Sequence, residues 1–244
     1  VAPLAVSHPH AKWAVGVVIP ARNEEATIVS CVLSVLGSLA AADVAHWVVV
    51  VADGCTDRTV ERARRALGDA GEVIEVGLSS AGASRREGVA RVLRHWDDLA
   101  LSCIWLANTD ADTTVSDDWI AVQLGFANDG VTAVAGIVHL EADGYAAAHQ
   151  IYRNTYATGA DGTHTHVHGA NLSVRADAYE DVGGWSNLAL AEDHCLWSRL
   201  RGKGWRITSP VSSVVTTSAR LEGRAKGGFA DTLRARIEAL HADP

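Results

Sequence analysis

Between Val15 and Leu140 the chain alternates short apolar runs with segments of helical period. That alternation restricts the fold more than any other feature. Val15–Ile19 is rich in β-branched residues and is closed by Pro20, as a buried strand would be. Apolar residues at Ile28, Cys31, Val32, Val35, Leu36 and Leu39 predict a helix over Glu24–Leu39, with Gly37 as a stop signal near its end. Further strands are expected at Trp47–Val51, Val73–Val76, Cys103–Ala107 and Val131–Leu140. Further helices are expected at Thr56–Leu67, Ala81–Trp96 and Asp117–Ala127. Alternation at this pace predicts an α/β protein with a doubly wound, mostly parallel sheet. The second half is less regular. It reads as helices at Gly144–Ala157 and Leu190–Gly202, a polar loop at Asp161–His166 and a short strand at Ala170–Arg175. The stretch Thr216–Gly228, rich in Gly, Ser and Arg, is expected to be a mobile loop, followed by a last helix over Phe229–Leu240.

Doubly wound sheets bind ligands beyond the carboxyl ends of their strands. Three polar clusters stand at such ends: Pro20-Ala21-Arg22-Asn23-Glu24, Asp53-Gly54, and Asn108-Thr109-Asp110-Ala111-Asp112. Asp110 and Asp112 are two apart and can face one way. Their hard oxygens suit Mg²⁺ or Mn²⁺, which keep open positions for phosphate oxygens. Asp53 reads equally as an acceptor for a base or ribose and as a turn or cap residue, a role Thr56 and Asp57 share. Glu192 and Asp193 open a helix, where a carboxylate complements the dipole or serves as a general base. His164, His166 and His168 would share one face of a strand, a weak pointer to zinc or copper; His168 instead suits the lining of an acceptor pocket.

Several classes are disfavoured. A net charge of −8 argues against a nucleic-acid partner. There is no G-x-x-x-x-G-K-[ST], no G-x-G-x-x-G after the first strand and no G-x-S-x-G. The four cysteines, Cys31, Cys55, Cys103 and Cys195, form no C-x-x-C pair and are expected as free thiols. No apolar run approaches the roughly 20 residues of a membrane helix. The opening VAPLAVSHPHAKW lacks the basic and long apolar regions of a secretion signal. A cytoplasmic protein with no integral membrane association is therefore expected, with a homodimer left open.

The segments VVIPARNEEATI, VVVADGCTDRT, WLANTDADTTVSDDW, HGANLSVRADAYEDVGGW and LAEDHCLWSRLRGKGWRI follow one another over Val15–Ile207. In this order they resemble the inverting family 2 glycosyltransferases of the GT-A fold, in particular soluble members of actinobacterial type. The resemblance implies a single GT-A domain over 1–244. Residues 15–112 would form the nucleotide-sugar-binding half, 113–215 the acceptor-binding half, and 216–244 a mobile loop and C-terminal helix. Pro20, Ala21, Arg22 and Glu24 would surround the nucleotide's base and ribose, and Asp53 would bind the base, expected to be uracil. Asp110 would contact the ribose or sugar, and with Asp112 the metal, Mn²⁺ or Mg²⁺. His168, Gly169, Ala170, Asn171, Trp185 and Glu192 would face the donor sugar and acceptor, and Asp193 would be the catalytic base. The implied partners are a nucleotide-sugar donor and a hydroxyl-bearing acceptor.

The chain departs from the pattern in two places. A basic residue that relatives use on the donor phosphates falls near Ala81, so Arg85 or Arg86 is expected to stand in. The C-terminal metal-binding His of some relatives is matched only by His241, and Arg220 and Arg224 are expected to close over the diphosphate instead. A sugar-phosphate nucleotidyltransferase is a weaker reading, because ARNEEATI lacks the glycines of that loop. A non-catalytic nucleotide-sugar-binding module is weaker too, since it would not need Asp193.

Overall fold

The computed structural model describes residues 12–141, 159–188 and 190–220. In chain order the elements are β1 (Ala14–Ala21), α1 (Ile28–Ala42), β2 (Ala45–Asp53), α2 (Thr59–Leu67), β3 (Gly71–Val76) and α3 (Ala81–His95). Then come β4 (Ile104–Asn108), β5 (Thr113–Val115), α4 (Trp119–Asn128), β6 (Ala133–Ala135) and β7 (Ile137–Leu140). The remainder is β8 (Leu172–Arg175), α5 (Ala176–Asp181), α6 (Glu192–Gly202), β9 (Ile207–Thr208) and β10 (Val214–Thr217). The main sheet has seven strands in the order β3-β2-β1-β4-β8-β6-β9, and β5-β10-β7 form a small second sheet. In the main sheet β1 pairs in parallel with β2 and β4, β2 with β3, and β6 with β9, while β8 runs antiparallel to both β4 and β6. The mostly parallel α/β sheet expected from the sequence is thus present.

Both faces of the sheet are covered, which is why β1 and the Trp47–Ala52 stretch of β2 are apolar without interruption. Val17, Ile19, Val48 and Val50 pack on one face with Ile28, Val32, Val35 and Leu39 of α1 and with Trp119 of α4. Val18, Val49 and Val51 pack on the other with Val89 and Val92 of α3 and Leu196 of α6. At Gly16 a side chain would collide with Val92, and at Gly88 with Val18. This close approach of α3 to β1 carries Arg85 to the carboxyl end of the sheet.

The sequence expectations fail at informative points. Helix α1 runs through Gly37 to Ala42, because Leu39 and Ala42 continue its buried face and Ser38 accepts the Ile120 amide at 3.0 Å. It stops at Asp43, in the left-handed region (φ 50°). Its first expected turn, Glu24–Thr27, is instead a tight turn in which Glu24 O accepts from both Thr27 N and Ile28 N. The strand expected over Val131–Leu140 breaks at Gly136, where any side chain would strike the Asn171 carboxamide and Ser213 O. Its two halves therefore join different sheets. Helix α2 begins at Thr59, three residues late, and α6 at Glu192, after Ala191 with φ 59°. Thr216 and Thr217 are not loop residues: they pair with β5 and β7, and Thr113 Oγ1 donates to Thr217 Oγ1 at 2.9 Å. The helices expected at Gly144–Ala157 and Phe229–Leu240 lie outside the described residues.

Asn171, expected to face the sugar, is a core bracket with 1% exposure. It accepts from Trp119 Nε1 at 2.9 Å and donates to Ile137 O at 2.9 Å and Ser213 O at 3.1 Å, tying the two sheets together. Asn171→Ala orphans all three buried partners and is expected to lower stability by about 2–4 kcal/mol. Urea unfolding measures this directly, and a midpoint equal to wild type would show that the bracket carries no load.

Candidate active site

The loops after β1 and β2 are built against each other. Asn23, in the left-handed region (φ 53°), accepts the Thr56 amide on Oδ1 at 2.8 Å. Cys55 Sγ donates to Ala21 O at 3.4 Å, and Glu24 N donates to Thr59 Oγ1 at 2.7 Å. Asp57 accepts from Thr59 N at 3.0 Å, so it serves the start of α2 as the cap reading anticipates. Pro20 is half-buried, Ala21 buried, and Arg22 exposed at the rim.

Asp53 is 6% exposed. Its carboxylate accepts four hydrogen bonds from the β3–α3 loop: Leu78 N at 2.6 Å, Ser79 N at 3.0 Å, Ser80 N at 3.1 Å and Ser84 Oγ at 3.2 Å. Those bonds hold Ser79 at φ 53°. The carboxylate's acceptor sites are filled by the chain itself, so it shapes this loop.

Arg85 lies across the crevice with 3% exposure. Its Nη2 donates to Asp110 Oδ1 at 2.6 Å and its Nη1 to Glu192 Oε1 at 2.6 Å. The guanidinium lies 5.1 Å from the centroid of Trp185. It fills the space beside Gly169, where a Cβ would stand 2.5 Å from Nη2. Arg85 is thus a buried bridge between two carboxylates, and Glu192 is one of its ion-pair partners. Trp185 is fully buried, with its backbone N donating to Tyr179 Oη at 3.0 Å, so it supports Arg85 from within the core. Arg199 fixes the same turn through Val182 O and Gly184 O.

A second guanidinium closes the other side. Arg220 donates to Glu24 through both terminal nitrogens, at 2.7 and 2.6 Å, and its Nη2 is 3.0 Å from Asp112 Oδ2. Glu24, expected beside the base and ribose, is therefore a buried partner of Arg220. Thr217 Oγ1 donates to Asp112 Oδ1 at 3.3 Å, and Cys31 Sγ to Asp110 O at 3.3 Å. Burial pushes the Asp112 carboxyl up to about 6, with the charges of Asp110 and Glu24 adding to the rise and Arg220 opposing it.

Asp193, in the first turn of α6, accepts from Gly169 N at 3.0 Å and His194 N at 2.7 Å. Gly169 and Ala170 are buried and His168 is half-buried beside them. His164–His168 form no strand, and the His166 and His168 rings lie 5.7 Å apart, near parallel. Burial holds the His168 imidazole down to about 4, against the pull of nearby Asp193. The sequence singled out Asp110, Asp112 and Asp193. It missed Ser84 and Cys31, which only contacts reveal.

A family model described as glycosyltransferase like family 2 matches residues 11–236. The chain belongs to glycosyltransferase family 2. Solved structures with the same GT-A fold include the mannosyltransferase PcManGT from Pyrobaculum calidifontis in complex with GDP-Man and Mn²⁺. It is 20% identical with a TM-score of 0.64, over 91% of this chain and 68% of that one. S. aureus TarS 1–349 in complex with UDP is 18% identical with a TM-score of 0.57, over 85% and 61%. This chain spans 44% of the longer S. aureus TarS structure. No curated protein matches the sequence. Among the described residues of this family 2 enzyme, no helix is long and apolar enough to cross a membrane.

Two outcomes follow from the geometry. Arg85→Ala removes a buried cation from two carboxylates and is expected to cost about 3 kcal/mol in urea unfolding; an unchanged midpoint would exclude the bridge. The His168 pKa is depressed below its unfolded value of about 6.5, so its stability contribution is present above that pH and lost as pH falls toward 4. The melting temperature should therefore fall less steeply between pH 6.5 and 4 in His168→Gln than in wild type. Parallel profiles would contradict this.

Proposed function

We propose that this chain is an inverting glycosyltransferase that moves a sugar from a nucleoside-diphosphate donor to an acceptor hydroxyl. The observation that carries this reading is the gathering of Glu24, Asp110, Asp112, Glu192 and Asp193 around two guanidiniums at the carboxyl ends of β1 and β4. The PcManGT and TarS structures, with GDP-Man and UDP bound, support a nucleotide-sugar site on this fold.

Mg²⁺ and Mn²⁺ take one or two carboxylates and complete their shell with water and substrate phosphates. Among the described residues no group of three or more His, Cys, Asp or Glu stands ready to hold a metal alone. Asp112 nevertheless fits an ion delivered with the nucleotide. Its carboxylate is a hard oxygen donor, and burial together with the charge of neighbouring Asp110 raises its pKa, so added positive charge there would be favourable. Asp110 is the second candidate ligand, through the oxygen that Arg85 does not hold. When bound, the ion supplies charge neutralisation for the departing diphosphate.

The chain's own residues do the rest. The Leu78–Ser80 loop shaped by Asp53, together with Pro20, Ala21 and Arg22, forms the wall for the base, with uracil as the proposed base. Asp110 is held by Arg85 to meet the ribose or sugar. His168, neutral near pH 7, lines the acceptor side with Gly169 and Ala170. Asp193, oriented by the Gly169 and His194 amides, takes the proton of the acceptor hydroxyl. The acceptor oxygen attacks the anomeric carbon from the face opposite the diphosphate, and configuration inverts. Fixed charges in a crevice screened from water supply most of the acceleration.

Asp193→Asn is expected to lower turnover roughly 100-fold, the loss typical of a general base, while sugar-donor affinity is retained. Nucleoside diphosphate release and calorimetry on the same samples read both quantities. A fully active Asp193→Asn enzyme would overturn the base assignment.

A further inference from the structure

Arg220 is joined to its partners across 196 residues for Glu24 and 108 for Asp112, yet it is placed firmly. Strand β10 brings it in: Thr217 pairs with Thr113, Ser218 N donates to Asp112 O at 3.1 Å, and Arg220 N lies 3.4 Å from Ser218 Oγ. The guanidinium meets the Glu24 carboxylate end-on through both terminal nitrogens, a strong bidentate arrangement, and reaches Asp112 Oδ2 with one of them. The Glu24 and Asp112 side chains are only 6% and 13% exposed, whereas Arg220 is 29% exposed. The cation therefore sits on the open side of two buried anions.

A divalent ion on Asp112 would need much of the space that this guanidinium holds, and two cations cannot share it without repulsion. An ion arriving alone must detach Arg220 from Asp112 and crowd its contact with Glu24, with nothing offered in return. An ion arriving with a nucleoside diphosphate brings phosphate oxygens, which match a guanidinium as well as a carboxylate does. Resting on the nucleotide-sugar reading above, the geometry points to Arg220 as a donor-binding residue that exchanges Asp112 for the diphosphate when the divalent ion enters. The arginine and the ion are alternative counter-cations of one carboxylate, so ion and nucleotide bind as a coupled pair. Arg220 thereby excludes the ion alone and favours the ion with its nucleotide.

The test is Mn²⁺ binding, followed by the electron paramagnetic resonance signal of the free ion, and UDP, GDP, dTDP and CDP binding by calorimetry at saturating Mn²⁺. Arg220→Gln is expected to bind Mn²⁺ alone roughly tenfold more tightly, and the recognised nucleotide roughly tenfold more weakly, a coupling of ordinary size. Arg220→Lys, which keeps the charge but loses the fork, should fall between the two on both axes, and melting curves verify that each variant is folded. A residue that merely holds the fold together would not move the two affinities in opposite directions. Unchanged or weaker Mn²⁺ binding in Arg220→Gln overturns the exclusion, and unchanged nucleotide affinity overturns the transfer to the diphosphate. If wild type with Mn²⁺ binds none of UDP, GDP, dTDP and CDP, the nucleotide-sugar reading fails instead, while the Mn²⁺-alone comparison still decides the exclusion.

Discussion

The buried guanidinium of Arg85 is the constraint on which the rest of the crevice depends. Asp110 belongs to the loop after β4 and Glu192 to the first turn of α6, and Arg85 binds both at 2.6 Å. A cation this deep is tolerated only with anions on it, so its two carboxylates are drawn to one point. Everything near it accommodates that cation. Gly169 leaves room, Trp185 offers its ring face, and Tyr179 and Arg199 hold the turn that carries Trp185. Asp193, next in sequence to Glu192, is placed by the same tie.

The parallel sheet explains why such a cluster can form at all. Its strands end together, so short loops from β1, β2 and β4 meet above one edge. α3 reaches that edge because Gly16 and Gly88 let it lie close on β1. The small sheet adds a second cation from the far end of the described chain, as β10 lays Arg220 over Glu24 and Asp112. The resulting crevice has carboxylates and guanidiniums interleaved.

How much of this was legible in the sequence depends on the range of the interaction. The strands β1, β2 and β4 announced themselves through apolar runs, and the acidic residues at their ends through position alone. Motifs do not separate a residue that touches a ligand from one that supports it, and here Asn171, Trp185 and Asp53 all make contacts within the protein. Each is buried, and each spends its polar or aromatic surface on the protein itself. The break at Gly136 was invisible because it answers to Asn171 and Ser213, which are remote in sequence. The partners of Arg220 were unreadable for the same reason. A Gly- and Arg-rich tail looks like loop until the strand beside it is known.

The central claim, that this edge of the sheet is a nucleoside-diphosphate site completed by a divalent ion, is tested most directly by thermal shift. The panel is UDP, GDP, dTDP and CDP, each with and without Mn²⁺. A nucleotide at about 100 times its Kd stabilises the protein by about 2.7 kcal/mol. A shift of that size is expected for one base when Mn²⁺ is present, and a smaller one without it. No shift with any of the four, with or without the ion, would contradict it.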